Sequence, residues 1–220
     1  MKLAVYSDLH LEFKNPFKIP KNLDADVLIL AGDIIVFNDD GFGMLKEFLE
    51  EWKKPVLFVA GNHEFYTKKC SIECSESFYN FSSKYINNLV WLKDTSIDID
   101  GVSFFGGTMW TDFNNSDPIA IMNAKRIMND FNYIKRNETF KLRPEDTVNY
   151  HTSFKKKLLK WFKTNKCSKK VVISHHAPCL NPQSKYKGSV LEPAFNSLDM
   201  IDIIKKIRTK HMVLWAYSRV

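Results

Sequence analysis

Residues 55–64, PVLFVAGNHE, join a short apolar run to the polar sequence Gly-Asn-His-Glu. The run PVLFVA is short and rich in β-branched and aromatic residues, which is typical of a buried β-strand. Gly61 would permit a tight turn that a residue with a Cβ would resist. Asn62, His63 and Glu64 therefore follow the carboxyl end of a strand, which is where α/β sheets bind ligands.

Two earlier stretches repeat this arrangement of an apolar run followed by polar side chains. Asp8 and His10 follow residues 2–7 (KLAVYS), and Asp33 follows residues 26–31 (DVLILA). The spacing from motif to motif is 25 and then 29 residues, about the length of one strand–helix–strand repeat. Three parallel strands would align five polar residues along one edge of a sheet: Asp8, His10, Asp33, Asn62 and His63.

These side chains are of the types that bind divalent metals. Carboxylates, imidazoles and amide oxygens suit hard-to-borderline cations. A fourth motif of the same kind follows the apolar residues 171–173, where His175 and His176 precede a proline that blocks a helix. The sequence therefore predicts a metal centre at the carboxyl ends of the strands.

The pattern changes after residue 89 from strand–helix repeats to short strands. We predict strands at residues 90–92, 96–100 and 102–106, with a hairpin turn at Asp100-Gly101. These strands indicate a second, mixed or antiparallel sheet packed on the first, with a final strand at residues 211–216. Apolar residues at helical spacing predict helices near residues 44–52, 71–85, 151–163 and 197–207. The third helix is expected to bury Phe154, Leu158, Leu159, Trp161 and Phe162.

Residues 114–150 form a long polar segment that the sequence does not place. Loops of this length in compact domains are often functional. Four residues in or near this segment are candidates for the rim of a site, with helix capping or core packing as the alternatives: Trp110, Asp112, Asn129 and Asp130. Tyr66 either lines the site or packs as a core aromatic residue.

The composition is that of one globular domain. The 220 residues are 45% hydrophobic and include 17 Phe and 5 Trp, enough for a full core. The net charge of +7 permits acidic ligands. Residues 141–170 contain ten Lys or Arg and two acids, and we favour a solvated helix face over a nucleic-acid patch there.

The cysteines and the hydropathy pattern exclude several classes of protein. The four cysteines form no C-x-x-C pair, so a zinc ribbon or a thioredoxin motif is not supported. No apolar run approaches the roughly 18 residues of a membrane span, and the first strand is not a signal peptide. We therefore expect a reducing, cytoplasmic location and no membrane partner.

The polar motifs follow one another in a defined order: Asp8-x-His10, Gly32-Asp33, Gly61-Asn62-His63-Glu64 and Ser174-His175-His176. This order resembles the metallophosphoesterase, or calcineurin-like phosphoesterase, family, whose motifs are D-x-H, G-D, G-N-H with E or D, a single histidine, and G-H-x-H. The resemblance covers nearly the whole chain and implies one domain over residues 1–220. It also implies an α/β fold in which two packed mixed β-sheets are flanked by helices, a four-layer α-β-β-α sandwich.

The resemblance further implies two divalent metal ions, whose identity is open among Mn, Fe, Zn, Co and Mg. The spacing leaves open whether His175 or His176 is a ligand, and we take His175 because it is nearer the strand end. The implied ligands are Asp8 and His10 for the first metal, Asn62 and His175 for the second, and Asp33 as a bridge between them.

The implied activity is the hydrolysis of phosphate monoesters or diesters by a metal-bound hydroxide. Two cations would neutralise the phosphoryl oxygens and lower the pKa of bound water toward ~7. His63 would not bind a metal but would face the substrate, where it would stabilise the transition state or protonate the leaving alkoxide. The sequence does not choose between a phosphatase and a phosphodiesterase.

The final family motif, G-H-x-H, has no counterpart here. Residues 216–220 are AYSRV, and no histidine follows His211. Each metal would therefore lack one protein ligand, and we expect a domain that is incomplete at its C-terminus, with the last strands missing. Tyr217 and Arg219 fall near the expected ligand positions, and Arg219 would contact a phosphate rather than a metal because it stays protonated.

Two other functions remain as alternatives. The first is an inactive remnant of a phosphoesterase that acts as a phosphate-ligand binding module. The second is a nucleic-acid binder that uses residues 155–170, whose binding would fall with salt. The oligomeric state is open.

Overall fold

The computed structural model describes residues 1–13, 17–180, 186–208 and 212–216. In this part of the chain the strands form two four-stranded sheets, and the order of strands in each sheet follows the order in the chain. The strand predicted at residues 211–216 is present at Met212–Ala216. His211, Tyr217 and Arg219 lie outside the described residues.

The first sheet is parallel throughout and consists of β1 (Leu3–Tyr6), β2 (Val27–Ala31), β3 (Val56–Val59) and β4 (Leu89–Trp91). The prediction that the strand near residues 90–92 belongs to the second sheet was wrong. A helix at Glu76–Tyr85 connects β3 to β4, so β4 continues the parallel strand–helix–strand repeat.

The second sheet is mixed, as predicted, and consists of β5 (Thr95–Ile99), β6 (Val102–Gly107), β7 (Lys169–Ser174) and β8 (Met212–Ala216). Strands β5 and β6 form an antiparallel hairpin, whereas β7 is parallel to both β6 and β8. The hairpin turn at Asp100 and Gly101 has φ values of 46° and 73°, as a type I′ turn requires.

Seven α-helices are present in the described part of the chain, besides short 3₁₀ helices: α1 (Asp39–Phe48), α2 (Glu76–Tyr85), α3 (Phe113–Ser116), α4 (Pro118–Ile127), α5 (Asp130–Tyr133), α6 (Pro144–Thr164) and α7 (Met200–Arg208). The unplaced segment 114–150 therefore contains short helices and the beginning of α6. Helix α6 begins at Pro144 rather than at residue 151, because proline suits a first turn and Asp146 accepts the Arg143 N–H at 3.0 Å. None of the described helices combines the length and apolar composition needed to cross a membrane.

Strand β2 shows how the core is divided between the two faces of the first sheet. Leu28 and Leu30 pack in a cluster with Leu45 of α1, whereas Ile29 packs between the sheets with Phe104 of β6. A third cluster packs α6 and α7 on the outer face of the second sheet. The layers are therefore helix, sheet, sheet, helix, which confirms the predicted four-layer sandwich.

The buried face of α6 differs from the prediction at one residue. Phe154, Leu158, Trp161 and Phe162 are buried, but Leu159 is 45% exposed. With 3.6 residues per turn, the residue after Leu158 points about 100° away from it. Leu159 therefore lies at the solvent side of the helix.

A matched pair of leucines tests the position of the core between the sheets. Leu57 in β3 is fully buried there, so we expect Leu57→Ala to lower the free energy of unfolding by about 2–5 kcal/mol. Leu159→Ala makes the same chemical change at the exposed site and should change the free energy of unfolding by less than about 0.5 kcal/mol. Urea unfolding followed by circular dichroism measures both, and equal losses would contradict this assignment of the core.

Candidate metal centre

The polar ends of four strands meet at one edge of the two sheets. Asp8 follows β1, Asp33 follows β2, Asn62 follows β3, and His175 follows β7 of the second sheet. The loops are joined by backbone hydrogen bonds, of which one is donated by the Asp8 N–H to the Gly32 carbonyl at 3.0 Å. The site therefore depends on both sheets and on their packing.

Asp33 lies at the centre of the site, and its two oxygens face different neighbours. Oδ2 is 3.9 Å from Nε2 of His10, whereas Oδ1 is 3.5 Å from Nε2 of His175. Oδ1 also accepts the backbone N–H of His63 at 2.9 Å. Two groups of potential metal ligands, each with atoms within 4.8 Å of one another, share this carboxylate: Asp8, Asp33 and His175, and His10, Asp33 and His63.

The ring of His175 is oriented so that its second nitrogen faces the site. Nδ1 lies 3.0 Å from the Ala31 carbonyl, which can only accept, so Nδ1 carries a proton. Nε2 faces two oxygens, Oδ1 of Asn62 at 3.2 Å and Oδ1 of Asp33. Burial opposes a charge here, but the carboxylates of Asp33 and Asp8 raise the pKa of His175. A position where lone pairs converge and positive charge is favoured fits a bound cation.

The structure separates the two adjacent histidines that the sequence left as alternatives. His175 belongs to a group of potential ligands, whereas His176 belongs to none of the groups formed by the described residues. Nδ1 of His176 is 3.3 Å from the Thr108 carbonyl, and its ring packs on Trp110 with centroids 5.2 Å apart. Burial and the neighbouring His175 lower the pKa of His176 to about 3, so its ring is a neutral part of the wall.

Glu12 connects two histidines of the site and was not assigned a role from the sequence. Its Oε1 lies 3.3 Å from Nδ1 of His10 and 3.6 Å from Nδ1 of His63. Burial opposes ionisation, but these two histidines lower the pKa of Glu12 to about 2. The carboxylate therefore fixes both rings, with Nε2 of His10 facing Asp33. The sequence signal was its position two residues after His10 in the first motif.

The backbone near the potential ligands is strained and closely packed. Asp8, His10 and Asp33 have φ values of 55°, 45° and 57°, in the left-handed region that disfavours residues with a Cβ. A Cβ on Gly32 would lie 2.4 Å from Nδ1 of His175, and a Cβ on Gly61 would lie 2.2 Å from Oδ1 of Asp33. The glycine at position 61 is thus required for the close approach of Asp33, rather than for the turn that we predicted.

The fully buried carboxylate of Glu64 lies beneath these loops. It accepts backbone N–H groups from Asp33 at 2.9 Å, Ile34 at 2.8 Å, Ile35 at 3.3 Å and Gly61 at 2.7 Å. Burial and the charge of Asp33 raise the pKa of Glu64, whereas the N–H groups act in the opposite direction. Its role is to hold the loops after β2 and β3 together.

The predicted rim residues have different roles. Asn129 and Asp130 line a cavity of about 360 Å³ together with Tyr66 and the potential metal ligands. Nδ2 of Asn62 donates to Oδ1 of Asp130 at 2.9 Å. Burial raises the pKa of Asp130, whereas its hydrogen bonds from Tyr66 and Asn62 stabilise the ionised form. Trp110 packs behind the site against His176.

Asp112 lies in a third group of potential ligands, with His151 and Asp199. Its side chain accepts the N–H of Asn115 at 2.9 Å and so caps α3. Asp199 already pairs with Nζ of Lys155, and its Oδ1 lies 3.1 Å from Nε2 of His151. The lysine supplies the positive charge in this group, which we interpret as a structural ion-pair cluster.

The sequence profile of the calcineurin-like phosphoesterase family matches residues 1–204. The chain therefore belongs to the calcineurin-like phosphoesterase family, as its motifs predicted. Members of this family are metal-dependent and act on phosphate esters.

Two other proteins are similar to this chain in sequence. An uncharacterized protein of Acanthamoeba polyphaga mimivirus is 25% identical over 241 residues, which cover 98% of this chain and 83% of that protein. A UPF0046 protein of Caenorhabditis elegans is 31% identical over 123 residues, which cover 49% of this chain and 39% of that protein.

A solved structure shares the fold. The crystal structure of the phosphopantetheinyl hydrolase from Mycobacterium tuberculosis superimposes with a TM-score of 0.71 and 16% identity, covering 98% of this chain and 81% of that one. At this identity the similarity establishes the fold alone.

A pair of glycines tests the close packing at the site. Gly61→Ala would push a methyl group against the Asp33 carboxylate, so we expect loss of Mn²⁺ binding in isothermal titration calorimetry and a lower melting temperature. Gly43→Ala in α1 is the control, because a Cβ there has no neighbour within 4 Å. That substitution should stabilise the helix by about 0.5–1 kcal/mol and leave Mn²⁺ binding unchanged. Normal Mn²⁺ binding by the folded Gly61 variant would contradict the proposed tight packing.

Proposed function

We propose that this chain hydrolyses phosphate monoesters or diesters with two divalent metal ions. The observation that carries the proposal is the position of Asp33, whose two oxygens face His10 on one side and His175 on the other. A carboxylate shared by two groups of ligand atoms suits a bridge between two cations. The proposed ligands are Asp8, His10, Asp33, Asn62 and His175.

Bound divalent ions would polarise the phosphoryl oxygens and lower the pKa of a coordinated water, which supplies the nucleophile. The mixed nitrogen and oxygen ligands allow Mn, Fe, Zn, Co or Mg. Asp8 and Asp33 compensate only half of the charge of two such ions, and Asn62 adds an oxygen without further charge.

His63 is proposed as the catalytic residue that faces the substrate. Its ring lines the cavity and stacks on Tyr66, with centroids 4.3 Å apart and an angle of 18° between the planes. Oε1 of Glu12 lies 3.6 Å from Nδ1 of His63, on the far side of the ring from Nε2. A protonated imidazole at this position would donate to a phosphoryl oxygen or to the leaving alkoxide.

Removal of the bridging charge tests the activity. We expect the wild-type protein with added Mn²⁺ to hydrolyse bis(p-nitrophenyl) phosphate or p-nitrophenyl phosphate, and Asp33→Asn to reduce the rate to background because an amide bridges two cations poorly. Chelation with EDTA should abolish the wild-type rate, and fresh Mn²⁺ should restore it. Asp98→Asn, which neutralises an exposed carboxylate on β5, is the control and should be as active as the wild type. Folded wild type that binds phosphate without turnover would support a binding module instead.

A comparison of leaving groups tests His63. We expect His63→Gln to lower kcat by about 10²–10⁴-fold for benzyl phosphate, whose alkoxide needs a proton, as general acids contribute. The loss should be much smaller for p-nitrophenyl phosphate, because p-nitrophenolate leaves as an anion. Release of inorganic phosphate measures both rates, and calorimetry should show unchanged Mn²⁺ binding. Loss of a bound Mn²⁺ in the His63→Gln variant would instead indicate that His63 is a metal ligand.

A further inference from the structure

We infer that Asp130 is a positioning residue that fixes the orientation of the Asn62 amide and thereby presents the amide oxygen to the metal centre. The inference rests on the proposed function, because it takes Asn62 as a ligand. Asp130 begins α5 and lies 68 residues after Asn62, in a segment outside the ligand motifs.

An asparagine amide has two ends of nearly equal size, so its hydrogen-bond partners decide which end faces a site. Oδ1 of Asp130 accepts from Nδ2 of Asn62 at 2.9 Å. This contact leaves Oδ1 of Asn62 on the side of His175, 3.2 Å from its Nε2. The opposite orientation would place the amide oxygen against a carboxylate and the amide N–H groups toward the cations, where they cannot act as ligands.

The position of Asp130 is itself well determined. The residue is 4% exposed, so water does not readily replace its partners. The Tyr66 hydroxyl donates to the same Oδ1, and the Tyr66 ring stacks on His63. The Ile134 N–H donates to the Asp130 carbonyl at 3.0 Å, and the Ile134 side chain is fully buried, which anchors α5 in the core. The contacts therefore connect a proposed ligand, Asn62, with the proposed catalytic histidine.

A double-mutant cycle on Mn²⁺ affinity tests this role. By isothermal titration calorimetry, Asp130→Ala should lower the affinity for one of the bound Mn²⁺ ions by about 10–100-fold. Losses of this size are typical when a group that orients a metal ligand is removed. Asn62→Ala should lower the affinity for the same Mn²⁺ ion at least as much. The double variant should bind like Asn62→Ala alone, because Asp130 acts through that amide. Excess Mn²⁺ should restore most of the kcat of Asp130→Ala.

Control variants separate this role from a purely structural one. Asn132→Ala removes an exposed amide from the same helix and should leave Mn²⁺ affinity unchanged. Asp130→Asn keeps an acceptor oxygen and should retain affinity within a few fold. Should Asp130→Ala not fold, Asp130→Leu, which removes the acceptor at similar volume, takes its place in the cycle.

Three results would overturn the inference. Folded Asp130→Ala or Asp130→Leu that binds Mn²⁺ as tightly as an active wild type would overturn it while leaving the proposed function intact. Losses that add in the double variant would show that Asp130 does not act through Asn62. A folded wild type that binds none of Mn²⁺, Fe²⁺, Zn²⁺, Co²⁺ and Mg²⁺ would overturn the proposed function and this inference together.

Discussion

The buried carboxylate of Glu64 is the interaction on which the site depends. Four backbone N–H groups from the loops after β2 and β3 converge on it, and each would cost about 1–3 kcal/mol if left without a partner. One of these donors is the N–H of Asp33, so the same carboxylate that closes the loops also fixes the backbone of the proposed bridging ligand. The sequence Gly-Asn-His-Glu thus combines a site of close approach, a proposed ligand, a proposed catalytic residue and a structural anchor.

The packing of the two sheets is the second requirement. The first sheet supplies Asp8, Asp33 and Asn62, but His175 comes from the second sheet and hydrogen-bonds to the carbonyl of Ala31 at the end of β2. The apolar residues between the sheets therefore determine where the imidazole lies relative to the carboxylates. Substitutions in that core would alter the site without changing a proposed ligand, because the position of His175 depends on how the two sheets pack.

The parts of the fold that the sequence predicted are those that local patterns control. Apolar runs that end in a polar motif located β1, β2, β3 and β7, and the parallel repeat predicted that the polar residues after β1, β2 and β3 share one edge of a sheet. Two predictions were wrong: the sheet membership of β4, which depends on tertiary packing, and the burial of Leu159, which points about 100° away from the buried Leu158 on the helix. The contacts of Glu12 and Asp130 were not predicted, because a carboxylate near a motif or in an irregular segment has no periodic signal. The roles of the ligands and of His63 stay predictions.

The order of the strands along the chain has a consequence for biosynthesis. The first sheet is built from consecutive segments, so the ribosome delivers β1 to β4 before β7 and its histidine. Until β6 and β7 pair, the inner face of the first sheet, which includes Ile29 and Leu57, has no partner layer. A nascent chain at this stage would expose an apolar surface that favours aggregation and chaperone binding. High-affinity metal uptake would then follow the docking of the second sheet, since His175 reaches the site only at that step.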